Sequence, residues 1–66
     1  MKREEYTLEL YEVMGYDAEW DTWGFHGSEV YHKGHRVGLI PWETPEDLEA
    51  MDDDHLENIF NEYGIL

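Results

Sequence analysis

The stretch Glu29-Val30-Tyr31-His32-Lys33-Gly34-His35-Arg36-Val37-Gly38-Leu39-Ile40 decides the fold. Two β-rich runs flank Lys33-Gly34, a two-residue loop whose Gly supplies the positive φ of a hairpin turn. The spacing predicts that His32 faces His35, Tyr31 faces Arg36 and Val30 faces Val37. Alternation then places Val30, Val37 and Leu39 on one face with the two histidines near the turn, and Tyr31, Arg36 and Ile40 on the other. Pro41 ends the second strand because it has no N–H to donate to a ladder.

Downstream, the period changes from two to 3.6. Thr44-Pro45-Glu46-Asp47 offers a hydroxyl at the N-cap, Pro at the first helical position and acids in the first turn, where the helix dipole favours them. Leu48 and Met51 give this short helix its apolar edge. A second helix is predicted from Asp53 or Asp54, with Leu56, Ile59, Phe60 and Tyr63 on one stripe and Gly64 just past its end.

Upstream, Tyr6, Leu8 and Leu10 alternate as in a strand, although Tyr6, Leu10, Val13 and Met14 also share a helical face with Gly15 as a stop. A strand is expected, because a lone hairpin is marginal and a third strand completes a usable sheet. Residues 16–25 read as a loop or single helical turn pinned to the core by Trp20 and Trp23. The expected fold is a small single α+β domain over residues 1–66: an antiparallel β-hairpin or three-stranded sheet with two short C-terminal helices packed on one face.

A chain of 66 residues has a limited core, since domains of about 60 residues bury only about 60% of the surface their unfolded chains expose. With no cysteine, neither disulfides nor a thiolate zinc site can add stability. Aromatic mass takes that role: three tryptophans, five tyrosines and two phenylalanines, at roughly 150–250 Å² buried per ring. At least two of the tryptophans are expected in the core, with Trp42 the one expected at the surface. That aromatic content also distinguishes the chain from disordered acidic segments.

Charge dominates the functional reading. Seventeen Asp and Glu against four Lys and Arg give a formal net charge of −13, well beyond the magnitude of roughly 2–8 that serves solubility in a small domain. The acids fall in two blocks without a Lys or Arg, residues 4–21 and residues 43–62, while 27–38 form a neutral-to-basic island. Such a balance argues against direct binding to nucleic acid or anionic lipid, which require cations to neutralise phosphate. No apolar run approaches the roughly 18–20 residues of a membrane span. Met1-Lys2-Arg3 leads into Glu4-Glu5 rather than a signal-peptide core, so the chain reads as cytoplasmic, with no membrane partner.

Glu46, Glu49, Asp53 and Glu57 recur at three- or four-residue intervals, which bring side chains about 5–6 Å apart on one helical face. That is comparable to the phosphate spacing along a nucleic-acid strand. Together with Asp52, Asp54 and the neighbouring Trp42, these residues form the candidate partner-binding surface, suited to a cleft lined with Lys and Arg. In composition the whole chain resembles the nucleic-acid mimics that phages and mobile elements use against restriction, repair or CRISPR proteins. Those proteins share no single fold, so the resemblance implies a class of function alone: masking a basic, nucleic-acid-binding protein.

Two other readings compete. Acidity can serve solubility or salt adaptation in a non-inhibitory accessory domain, in which case it should cover all faces evenly. A histidine site for zinc is the third reading, since His32 and His35 would be cross-strand neighbours with His26 upstream. No helical or other metal-ligand pattern supports it, and adjacent Asp52-Asp53-Asp54 lack the alternation of a calcium loop. Catalysis has no signature: Ser28 is the only serine, there is no thiol, and no Gly-rich loop precedes a helix. The chain is read as a non-enzyme with no cofactor.

Overall fold

The computed structural model describes all 66 residues. A 3-10 turn at Arg3–Glu5 leads into β1 (Tyr6–Asp17), β2 (Thr22–His32) and β3 (His35–Pro41), followed by α1 (Pro45–Glu49) and α2 (Asp53–Glu62). The strands form one antiparallel sheet in the order β1-β2-β3. This is the expected α+β architecture, with the N-terminal segment a strand and the sheet three-stranded.

Lys33 and Gly34 both take positive φ, 52° and 86°, the conformation that matches a hairpin turn to the twist of its strands. His32 pairs with His35 and Tyr31 with Arg36 as the spacing predicts, but Val30 pairs with Gly38. A bulge leaves Val37 as the extra residue, and Val37 is exposed rather than in the core. One extra residue reverses the alternation beyond it. Ile40 therefore joins Val30 in the core, and Leu39 moves to the opposite face, across from Glu29. Gly38, opposite Val30, leaves room that the side chain of Ile65 fills.

The main core is Val30, Ile40, Leu48, Leu56 and Phe60, flanked by half-buried Tyr6, Leu8, Met51, Ile59 and Ile65. It lies between one face of the sheet and the two helices. Thr44 and Asp47 close a reciprocal capping box on α1, and the Asp52 side chain accepts from the His55 N–H at the start of α2. At the other end of α2, the N–H of Ile65 donates to Phe60 O (2.8 Å) and that of Gly64 to Asn61 O (3.2 Å). This Schellman closure returns Ile65 to the sheet.

The opposite face carries a second, aromatic layer. Phe25 is buried, stacked on Trp20 (5.6 Å, 7°), with Tyr11 and Trp42 against its other sides. The strands here run further than the sequence suggests: β1 reaches Asp17 and β2 begins at Thr22, so only residues 18–21 turn. Asp17 holds that turn, accepting from the Trp20 N–H and the Tyr11 hydroxyl. Trp20 packs inward as expected, but Trp23 does not; it is 76% exposed. A bulge sets Met14 and Gly15 against Gly24, whose φ is +68°, and re-aims the neighbouring side chains.

Phe60 is 1% exposed at the centre of the main core. Phe60→Ala should cost about 3–5 kcal/mol, a large share of the stability of so small a domain. Chemical denaturation checks this: the variant should lose most of its cooperative transition, and an unchanged midpoint would place Phe60 outside the core.

Candidate functional site

The acidic helical surface is built from two short helices rather than one continuous face. The chain breaks helix between Ala50 and Asp52, so Glu46 and Glu49 stand on α1 while Asp53 and Glu57 stand on α2. The spacing between Glu49 and Asp53 is therefore not that of helical neighbours. What joins the two halves is Arg3. Its Nη1 donates to Met51 O (2.9 Å) and Asp53 Oδ1 (3.0 Å), and its Nη2 donates to Glu49 O (3.2 Å). The carbonyls at the end of α1 lack intrahelical partners, and the guanidinium supplies them.

Each cation of the basic island is engaged on the sheet side. Arg36 pairs with Glu29 (2.9 Å) and Glu19 (3.5 Å), and Lys33 approaches Glu5 (3.9 Å). His32 stacks on Tyr6 and lies 3.2 Å from Glu5. On the helical side only Asp53 and Glu57 are paired, with Arg3 and with the amino group of Met1 at 3.5 Å. Glu43, Glu46, Asp47, Glu49, Asp52, Asp54 and Glu62 form no ion pair. Of these, Asp47 and Asp52 serve as caps, while Glu46, Glu49, Asp54 and Glu62 are exposed.

Beside this surface lies a half-open cavity of about 240 Å³. Leu8, Leu56 and Phe60 contribute apolar walls, with Arg3 and Glu49 among its polar lining. Trp42 follows directly on β3, and its indole packs on Phe25, in the aromatic layer across the sheet from the helices. It is 49% exposed and holds φ at +65°, a conformation that costs of order 1–3 kcal/mol for a bulky residue. The Trp42 N–H bond to His26 O (2.8 Å) and the indole's packing on Phe25 and His26 hold it there.

The histidines do not converge. His32 and His35 are cross-strand partners, but His26 lies six residues up β2, roughly 20 Å away at the rise of a strand. No three His, Asp or Glu side chains are arranged to hold a metal ion. No helix is long and apolar enough to cross a membrane.

Sequence reasoning missed Arg3 and the exposed group Tyr16, Asp21 and Trp23. Arg3 carries no local signal, because its partners lie 46–50 residues away. Gly24 within a β-rich run was a usable sign of a bulge near Trp23.

Comparison of the chain with protein-family models, curated proteins and solved structures found no match.

Two tyrosines titrate above their ordinary range. Tyr11 is raised first by its hydrogen bond to Asp17 and then by desolvation; Tyr16 is raised first by its hydrogen bond to Asp21. A group whose folded pKa exceeds its unfolded value stabilises the fold fully below the unfolded pKa, about 10 for tyrosine. That contribution is lost as pH rises through the raised folded value. Tm should therefore fall on the alkaline side of pH 10, and Tyr11→Phe should flatten that decline; thermal melts across this window check it, and an equally steep fall in the variant would contradict the assignment.

Proposed function

We propose that this chain is a small acidic protein-binding module that masks the nucleic-acid-binding surface of a basic protein, presenting the carboxylates of the α1–α2 segment in place of phosphates. The single observation that supports this reading most is the lack of cations among the acids of the two helices. Seven of the nine acids in residues 43–62 meet no cation; Glu4, Glu9, Glu12, Asp17 and Asp21 are also unpaired, but they are dispersed over β1 and its flanking turns, whereas the helical set is gathered on two consecutive short helices. Acidity serving solubility alone would gain from local opposite-sign pairs on the helices, worth a few tenths of a kcal/mol each, and α1 and α2 contain no Lys or Arg.

The proposed contact centres on Glu46, Glu49, Asp52, Asp53, Asp54 and Glu57, with Trp42 at its margin. The cavity next to Glu49 would receive an apolar side chain or the aliphatic stem of a lysine or arginine, with the charge kept at the rim. Complementary charge of this kind acts mainly on association rate, so a short surface would suffice to compete for a groove that normally follows a phosphate backbone.

The test compares two triple reversals against the partner recovered from host cells. Glu46→Lys with Glu49→Lys and Asp54→Lys should lower the association rate about tenfold or more at low salt, with the loss shrinking as salt is added. Glu4→Lys with Glu9→Lys and Glu12→Lys changes net charge equally and should cost much less. Saturating wild-type protein should also release nucleic acid from the partner. Equal losses from both sets, or a partner that keeps its nucleic acid, would overturn the reading.

A further inference from the structure

The β1–β2 hairpin outruns the rest of the sheet. β3 ends at Pro41, opposite Gly27, so Val13–Asp17 and Thr22–Phe25 continue as two strands alone at one end of a molecule 34 Å long. On this extension Trp23 is 76% exposed, Met14 88% and Tyr16 47%. The core does not need them, because Trp20 and Trp42 already cover Phe25. Clustered exposed apolar groups on a small soluble domain mark an interaction surface.

The tip has order as well as exposure. The Tyr16 and Trp23 rings lie 5.3 Å apart at 55°, and the Tyr16 hydroxyl donates to Asp21 Oδ1. Asp21 Oδ2 takes part in no hydrogen bond or ion pair. An indole face, a phenol and a free carboxylate oxygen are thus held together by a hydrogen bond and a ring contact.

Charge selects the occupant. Residues 12–23 carry Glu12, Asp17, Glu19 and Asp21 and no Lys or Arg; Arg36 reaches only Glu19 of these. A second copy would set acid against acid with a formal −13 on each chain. Anionic lipid is repelled for the same reason. A cation remains, and the ring faces choose its kind. A guanidinium is planar and weakly hydrated, stacks on aromatic faces and can keep N–H donors for a carboxylate at the same time; an ammonium is compact and strongly hydrated.

We propose that the tip of the β1–β2 hairpin is a second interaction surface, separate from the helical one, that takes an arginine side chain of a peptide or protein segment, stacked on Trp23 beside Tyr16 and paired with Asp21. It stands or falls independently of the helical surface.

The experiment titrates the ¹⁵N-labelled protein with a short Gly/Arg peptide and with its Gly/Lys counterpart of equal length and charge. The Trp23 indole N–H signal is identified by its loss in Trp23→Phe. The arginine peptide should move that signal and bind about threefold tighter than the lysine peptide, the factor that a stacked, exposed cation–π contact supplies. Trp23→Leu keeps an apolar side chain without a ring and should weaken the arginine peptide about threefold while leaving the lysine peptide nearly unchanged; Asp21→Asn keeps shape without charge and should weaken both peptides, the arginine peptide more. Glu46→Lys with Glu49→Lys and Asp54→Lys should weaken both peptides alike and leave the arginine preference intact. Equal affinities in the wild type, an arginine preference that survives Trp23→Leu or vanishes with the helical reversals, or no binding of either peptide would overturn the proposal.

Discussion

The guanidinium of Arg3 ties the first turn of the chain to the junction of the two helices. It satisfies the Glu49 and Met51 carbonyls and touches Asp53. The ion pair itself contributes little, since Asp53 is largely exposed and such pairs are worth at most about 1 kcal/mol. The carbonyls matter more. α1 is only five residues long and has no basic residue in its last turn. Its C-terminal end would otherwise depend on water, and the helix pair would dock on the sheet through apolar contacts centred on Leu48, Leu56 and Phe60.

With four Lys and Arg, the chain allots its cations narrowly. Arg36 and Lys33 stay on the sheet side, and Arg3 fixes the helix junction. The remaining helical carboxylates have no internal use beyond the caps formed by Asp47 and Asp52. The exposed carboxylates of α1 and α2 thus contribute a negative field with no Lys or Arg beside it on either helix, the kind of field that would speed encounter with a basic partner under the proposed function. The hairpin tip combines flat rings with acids of its own, Glu12, Asp17, Glu19 and Asp21.

Much of the fold was legible because local chemistry and global architecture agree. Lys33-Gly34 specifies a hairpin, Thr44-Pro45 and Asp52 specify helix starts, and Gly64 specifies a stop. What escaped was non-local or depended on one inserted residue. The bulge at Val37 exchanges the faces of Leu39 and Ile40, and period-two reasoning has no means of counting an extra residue. Residues 16–25 read as a loop, so neither the strands there nor the bulge beside Gly24 that accompanies the exposed Trp23 was legible. Of the candidate site, the acids were legible as a block, and Trp42 as exposed. Their division over two helices and the reach of Arg3 were not, because both depend on chain segments far apart in sequence.

The central claim is that negative potential is concentrated over residues 43–62 rather than spread over every face. Amide relaxation measured with a cationic nitroxide and with a neutral nitroxide of the same shape maps it directly, residue by residue. The account predicts that the excess broadening by the cationic probe is largest at exposed amides of α1 and α2 and smallest across residues 27–38. An even excess over sheet and helices would contradict it.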